Sequence, residues 1–152
     1  MRRQYYVPIA EKTYEIPDDL IRPDPKTVLM LEDDLNLAGI LCNGLELNNY
    51  TVTRVCSGAE GIQCVLKRDY DVVLCDMIMP GFPGDMFYRA VERSRPHLCK
   101  RFLFMTGHSG DPQIDAFIRS VRGLMIWKPF KLHELLQAMK AVVDKNAPAP
   151  VD

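Results

Sequence analysis

Asp71-Val72-Val73-Leu74-Cys75-Asp76-Met77-Ile78-Met79-Pro80-Gly81 is the stretch on which the reading of this chain turns. A short apolar run without polar alternation reads as a strand buried on both faces, and this one stops at a carboxylate where a Pro-Gly loop begins. Asp76 therefore sits at the carboxyl end of a buried strand. Two further runs end in the same way: Thr27-Val28-Leu29-Met30-Leu31 leads into Glu32-Asp33-Asp34, and Arg101-Phe102-Leu103-Phe104-Met105 leads into Thr106-Gly107. A fourth ends at Lys128-Pro129. Carboxylates, a hydroxyl and an ammonium gathered at one edge of a parallel sheet suit a divalent cation and a phosphoryl group, provided the strands are neighbours.

Working outward, apolar strands alternate with amphipathic helices from Thr27 onward. The spacing predicts strands over 27–31, 51–55, 71–75, 101–105 and 124–127. Helices are predicted over about 34–48, 58–67, 84–94, 111–121 and 131–144. A helix between each pair of strands implies crossover connections, so the expected fold is α/β: a five-stranded parallel sheet, doubly wound as (βα)5, with strand order 2-1-3-4-5. In the last helix Leu132, Leu135, Leu136, Met139, Val142 and Val143 recur on one stripe, which reads as core packing. The first helix is interrupted by Gly39 and Gly44 at roughly 1 kcal/mol each relative to Ala, so packing of Leu35, Ala38, Cys42 and Leu45 must offset the loss. Residues 1–25 carry Pro8, Pro17, Pro23 and Pro25 among mixed charges, a composition that opposes helix and central strand. They are expected to form a leader, partly ordered by Tyr5, Tyr6 and Tyr14, before a domain over 26–145. Residues 146–152, with Ala147-Pro148-Ala149-Pro150, read as a tail or linker.

The chain has 152 residues, 47% of them apolar, which is enough for one globular domain with a core of its own. Its 19 basic and 20 acidic residues nearly balance, so no broad basic field steers it to nucleic acid or an anionic membrane. No apolar stretch approaches the roughly 20 residues of a membrane helix. Met1-Arg2-Arg3 is followed by Gln4-Tyr5-Tyr6 rather than by a signal-peptide core, and a cytoplasmic protein is expected. Cys42, Cys56, Cys64, Cys75 and Cys99 form no metal-binding spacing and are expected to be free, mostly buried thiols. His97, His108 and His133 are too scattered for a zinc site.

With strand order 2-1-3-4-5 the first and third strands are neighbours, and Glu32, Asp33 and Asp76 converge. Crowded carboxylates raise one another's pKa unless a cation joins them. Hard oxygen ligands beside a phosphoryl site suit Mg²⁺, with Mn²⁺ as the alternative.

Four motifs in order, Leu31-Glu32-Asp33-Asp34, Leu74-Cys75-Asp76-Met77-Ile78-Met79-Pro80-Gly81, Phe104-Met105-Thr106-Gly107 and Trp127-Lys128-Pro129-Phe130, resemble the receiver domain of two-component response regulators. The resemblance covers about residues 26–144 and implies a flavodoxin-like fold. It implies that Asp76 accepts a phosphoryl group from a phosphohistidine on a histidine kinase or histidine phosphotransfer protein. It further implies that Asp33 and Asp76 ligate the metal directly, that Glu32 acts through water, and that the Ile78 backbone carbonyl supplies another ligand. Lys128 would pair with a phosphoryl oxygen, Pro129 would follow a cis peptide, and Thr106 would turn its hydroxyl toward the new group and carry the output. The chain departs from many receivers at Met125, where an aromatic switch residue is common, and a softer conformational change is expected there. The resemblance also implies that Ile78 and His108, two positions beyond Asp76 and Thr106, control water access to the phosphoryl group; His108 either orients a water or is an exposed loop residue.

Simpler readings stand beside these. Asp34 reads first as a helix N-cap, and Glu32 and Asp33 taken alone would be first-turn acids favoured by the helix dipole. Trp127 reads as packing more readily than as a partner anchor. Gly81, Pro83 and Gly84 shape the loop beneath Asp76. Gly107-His108-Ser109-Gly110 lacks the Gly-Lys-Ser/Thr of a nucleotide loop. The expected function is a phosphorylatable receiver, either a single-domain regulator or the receiver of a hybrid kinase, since the remaining residues leave no room for a DNA-binding domain. A downstream protein target is expected, and a homodimer is an alternative to a monomer. The alternatives are a phosphate-independent binding module on the same fold, which intact Asp76, Thr106 and Lys128 disfavour, and a phosphatase, whose second acidic residue is replaced by Ile78.

Overall fold

The computed structural model describes residues 6–9, 12–15, 23–107 and 111–148. Its first elements are β1 (Tyr6–Ile9) and β2 (Lys12–Glu15), which pair antiparallel in a two-stranded ribbon. This regular structure was hidden by the proline count. Both strands of a ribbon are edges, where a missing N–H at Pro8 breaks no central ladder. The contribution expected of Tyr5, Tyr6 and Tyr14 side chains lies outside the described residues.

The main sheet holds β3 (Lys26–Leu31), β4 (Tyr50–Val55), β5 (Val72–Asp76), β6 (Phe102–Thr106) and β7 (Leu124–Trp127). Their order is β4-β3-β5-β6-β7 and every pairing is parallel. Counted within the sheet, this is the expected order 2-1-3-4-5. Crossover helices are α1 (Leu35–Glu46), α2 (Gly58–Lys67), α3 (Gly84–Ser94), α4 (Pro112–Ser120) and α5 (Leu132–Lys145).

Side chains alternate across each strand and so supply two cores. Val28, Met30, Val72, Leu74, Leu103 and Met105 face α1 and α5, where Ala38, Leu41, Leu45, Leu135, Met139 and Val142 are buried. Leu29, Leu31, Val73, Cys75, Phe102 and Phe104 face the other way, against Val65 of α2, Phe87, Tyr88 and Val91 of α3 and Ile118 of α4. Burial on both faces explains why the central strands show no polar alternation. On the second face Tyr88 meets Phe102, Phe104 and Phe117 with ring centroids 5.0, 5.9 and 5.5 Å apart. Such pairs contribute about 0.5–1.5 kcal/mol each beyond area burial, and here they tie α3 and α4 to β6, the strand that ends at Thr106.

Several expectations need correction. Arg101 closes a 3₁₀ turn over Pro96–Arg101 that the apolar pattern did not reveal, so β6 starts one residue later and includes Thr106. Leu35 is exposed and Leu41 takes the inward position, because Asp34 caps the helix and turns Leu35 outward in its first turn. Leu132 is also exposed at the start of α5. Among the five free cysteines Cys75 is fully buried, Cys42, Cys64 and Cys99 are half-buried and Cys56 is exposed. The apolar character of cysteine does not place it when β4 and α2 lie at the sheet's margin.

The glycines separate into those that cost stability and those the packing requires. A Cβ on Gly39 would meet nothing within 4 Å, whereas one on Gly84 would lie 2.7 Å from the Asp76 carbonyl oxygen and 2.9 Å from Met77 Cα. Gly39→Ala is expected to stabilise the protein by roughly 0.4–1 kcal/mol. Gly84→Ala is expected to destabilise it by about 1–3 kcal/mol. Urea unfolding of both variants measures the contrast.

Candidate functional site

Asp76 is the last residue of the central strand β5, 6% exposed, and the loop after it turns through Gly81 with φ of +75°. That left-handed conformation favours glycine. The turn lets α3 start directly beneath the site, where the Gly84 N–H donates to the Met77 carbonyl at 3.1 Å. Parallel pairing of β3 with β5 sets Leu31 beside Cys75, so the residues that follow them, Glu32 just beyond β3 and Asp76 at the end of β5, emerge together. Pairing of β5 with β6 sets Asp76 beside Met105, and pairing of β6 with β7 sets Thr106 beside Trp127. The four strand ends predicted from sequence thus share one sheet edge.

One carboxylate oxygen from each of Glu32, Asp33 and Asp76 lies within 4.8 Å of the others. Glu32 is 1% exposed and Asp33 is open to solvent. The Lys128 ammonium reaches in from the end of β7 and donates to Glu32 Oε2 at 2.8 Å and to Asp76 Oδ2 at 2.9 Å. The other Asp76 oxygen, Oδ1, accepts the Ile78 N–H at 3.0 Å, and Glu32 Oε1 accepts the Asp34 N–H at 3.1 Å. Lys128 is itself held by its N–H, which donates to the Thr106 carbonyl at 2.8 Å, and its peptide bond to Pro129 is cis, as the resemblance implied.

Burial pushes the Glu32 carboxyl above its ordinary range, and the Asp76 charge adds to that. Hydrogen bonds from Lys128 and the Asp34 amide oppose the rise without cancelling it. For Lys128 burial disfavours the ammonium, but its bonds to Glu32 and Asp76 outweigh burial and hold its pKa above the usual lysine value. Glu32 and Asp76 therefore share one ammonium, and Asp33 adds a third carboxylate beside them, which leaves the edge short of positive charge. All-oxygen donors crowded in this way fit a hard divalent cation.

Asp34 is the N-cap of α1, its Oδ1 accepting the N–H groups of Asn36 and Leu37 at 3.0 and 3.1 Å. Glu32 points instead at Lys128, so its place is not that of a first-turn acid. Thr106 is fully buried at the end of β6. Met125 is not at the edge: it pairs with Phe104 inside β7 and packs half-buried against the second core. Trp127 is 39% exposed, so packing accounts for only part of its surface. His108 lies outside the described residues. Sequence reasoning missed Arg54, whose Nη2 donates to the Glu32 backbone carbonyl at 3.2 Å. The available signal was a cation one residue before the end of the strand paired with β3.

The response regulator receiver domain family matches residues 28–140. This chain belongs to that family. Among curated relatives, the sensor kinase CckA of Brucella abortus is 25% identical over 143 residues, covering 91% of this chain and 15% of the kinase. The transcriptional regulatory protein GlrR of Escherichia coli is 27% identical over 127 residues, covering 82% of this chain and 28% of the regulator. The receiver thus spans a minor part of either relative. The fold is shared with the receiver domain of the sensor histidine kinase PA1611 of Pseudomonas aeruginosa, solved with a magnesium ion in its active-site cleft. That match has a TM-score of 0.71 at 20% identity, covering 79% of this chain and 98% of that one. With transcriptional regulators among the relatives, the even charge of this segment does not exclude a nucleic-acid role for a protein containing it. Among the described residues no helix is long and apolar enough to cross a membrane.

Breaking the bridge between Lys128 and the two buried carboxylates tests the electrostatic description. Lys128→Met in metal-free buffer is expected to cost about 2 kcal/mol, below the range for a fully buried pair because the lysine is partly exposed. Adding Glu32→Gln is expected to recover part of that loss in a double-mutant cycle read by urea unfolding.

Proposed function

We propose that this receiver takes a phosphoryl group on Asp76 from a phosphohistidine of a histidine kinase or histidine phosphotransfer protein, and signals through the phosphorylated state. The observation that carries the reading is the setting of Asp76: a nearly buried carboxylate held by the Lys128 ammonium at 2.9 Å and the Ile78 N–H at 3.0 Å, beside Glu32 and Asp33. An Asp76 carboxylate oxygen forms the bond to phosphorus as the phosphorus–nitrogen bond of the donor breaks, and the departing imidazole takes up a proton. Glu32, Asp33, Asp76 and the Ile78 carbonyl would hold Mg²⁺. When bound, the ion supplies positive charge beside the phosphoryl oxygens.

Lys128, already reaching across the edge, neutralises charge on the incoming group. The acyl phosphate adds about −1.5 to −2 charges and three acceptor oxygens. Thr106 at the end of β6 and Lys128 at the end of β7 are drawn toward it, so the change passes to the surface formed by α4 and β7. The reaction is a self-catalysed transfer followed by slow loss of phosphate, without turnover of a metabolite.

Intact mass after incubation with Mg²⁺ and acetyl phosphate tests the acceptor. The wild type is expected to gain one phosphate-sized, base-labile adduct and Asp76→Asn none; an adduct that persists in Asp76→Asn contradicts the assignment. Mg²⁺ at a hundred times its dissociation constant is expected to raise stability by about 2.7 kcal/mol. Asp33→Asn is expected to lose that increment at the same Mg²⁺ concentration, as read by thermal unfolding.

A further inference from the structure

We infer that Arg54 is a positioning residue for the acidic pair Glu32 and Asp33, acting through the Glu32 backbone rather than through any carboxylate. The inference rests on the proposed Mg²⁺-dependent reading of the site. β3 runs to Leu31 and its ladder to β4 ends at the Glu32 N–H, leaving the Glu32–Asp33 peptide without a strand partner. At such a point the peptide plane is free to rotate, and a rotation would swing both carboxylates away from Asp76. Here β4 holds Glu32 from both sides of its backbone: the Glu32 N–H donates to the Val55 carbonyl at 3.2 Å, and the Glu32 carbonyl accepts Arg54 Nη2 at 3.2 Å. With Asp34 fixed as the cap of α1, the two residues between are anchored at each end.

A second observation separates this role from one of fold stability. Arg54 Nε is buried and has no hydrogen-bond partner among the described residues. An orphaned donor of that kind disfavours the folded state, so the side chain does not find its best stabilising arrangement in this position. What it does achieve is a fixed Glu32 carbonyl, 22 residues away in sequence. Partners that orient ligands in this way typically govern metal affinity by about 10–100-fold.

Isothermal titration with Mg²⁺, paired with urea unfolding in metal-free buffer, tests the role. Arg54→Met is expected to weaken Mg²⁺ binding about 10-fold with a near-normal unfolding midpoint. Arg54→Lys, which keeps a donor able to reach the carbonyl, is expected to restore most of the affinity. Mg²⁺ affinity within twofold of wild type in a folded Arg54→Met protein overturns the inference and leaves the acceptor assignment standing. Should Arg54→Met fail to fold, Arg54→Lys and Arg54→Gln decide it: equal affinities and lowered midpoints in both reduce Arg54 to a structural residue. Absence of Mg²⁺ binding in the wild type overturns this inference together with the metal-dependent reading on which it rests.

Discussion

Three carboxylates and one ammonium at the edge of a parallel sheet are the constraint around which this molecule is arranged. Lys128 lies 96 residues from Glu32 and 52 from Asp76, yet bonds both. Only the pairing of β3 with β5, β5 with β6 and β6 with β7 brings those groups together, and two apolar cores of opposite facing hold that pairing. The arrangement is electrostatically unfinished. Burial keeps the Glu32 carboxyl reluctant to ionise, and the lysine that compensates it is shared with Asp76. A site in this condition gains from any added positive charge, and it responds strongly when more negative charge arrives.

The surroundings of the edge are shaped to hold that condition. Gly84 admits the Asp76–Met77 backbone at a distance no side chain would allow, so the loop under the acceptor is pinned against α3. Asp34 fixes the start of α1 and frees Glu32 to face Lys128. Thr106 and Lys128 are joined through the backbone, so a pull on either strand end is felt by the other. That coupling gives a physical route from Asp76 to the exposed end of β7, where Trp127 stands partly in solvent.

Much of this was legible in the sequence because a doubly wound sheet repeats one signal. Each buried strand is an apolar run and each ends in a polar residue, so Glu32, Asp76, Thr106 and Lys128 could be named before any contact was seen. Asp34 was readable as a cap for a local reason, a carboxylate directly before a helical period. Features set by contacts distant in sequence were hidden. The burial of cysteines depends on which elements are marginal. The 3₁₀ turn before β6 carries no periodicity of its own. Arg54 left only a faint mark, a cation near the end of β4, because its partner is a backbone carbonyl, which every residue possesses and no sequence distinguishes. The β1–β2 ribbon was obscured by prolines that an edge tolerates.

Lys128 occupies charge space that a divalent cation would otherwise satisfy. Isothermal titration of Mg²⁺ into the wild type and Lys128→Met tests it most directly. Removing the ammonium leaves two buried carboxylates uncompensated, so tighter Mg²⁺ binding by the variant is expected. Unchanged or weaker binding by a folded Lys128→Met protein would contradict it.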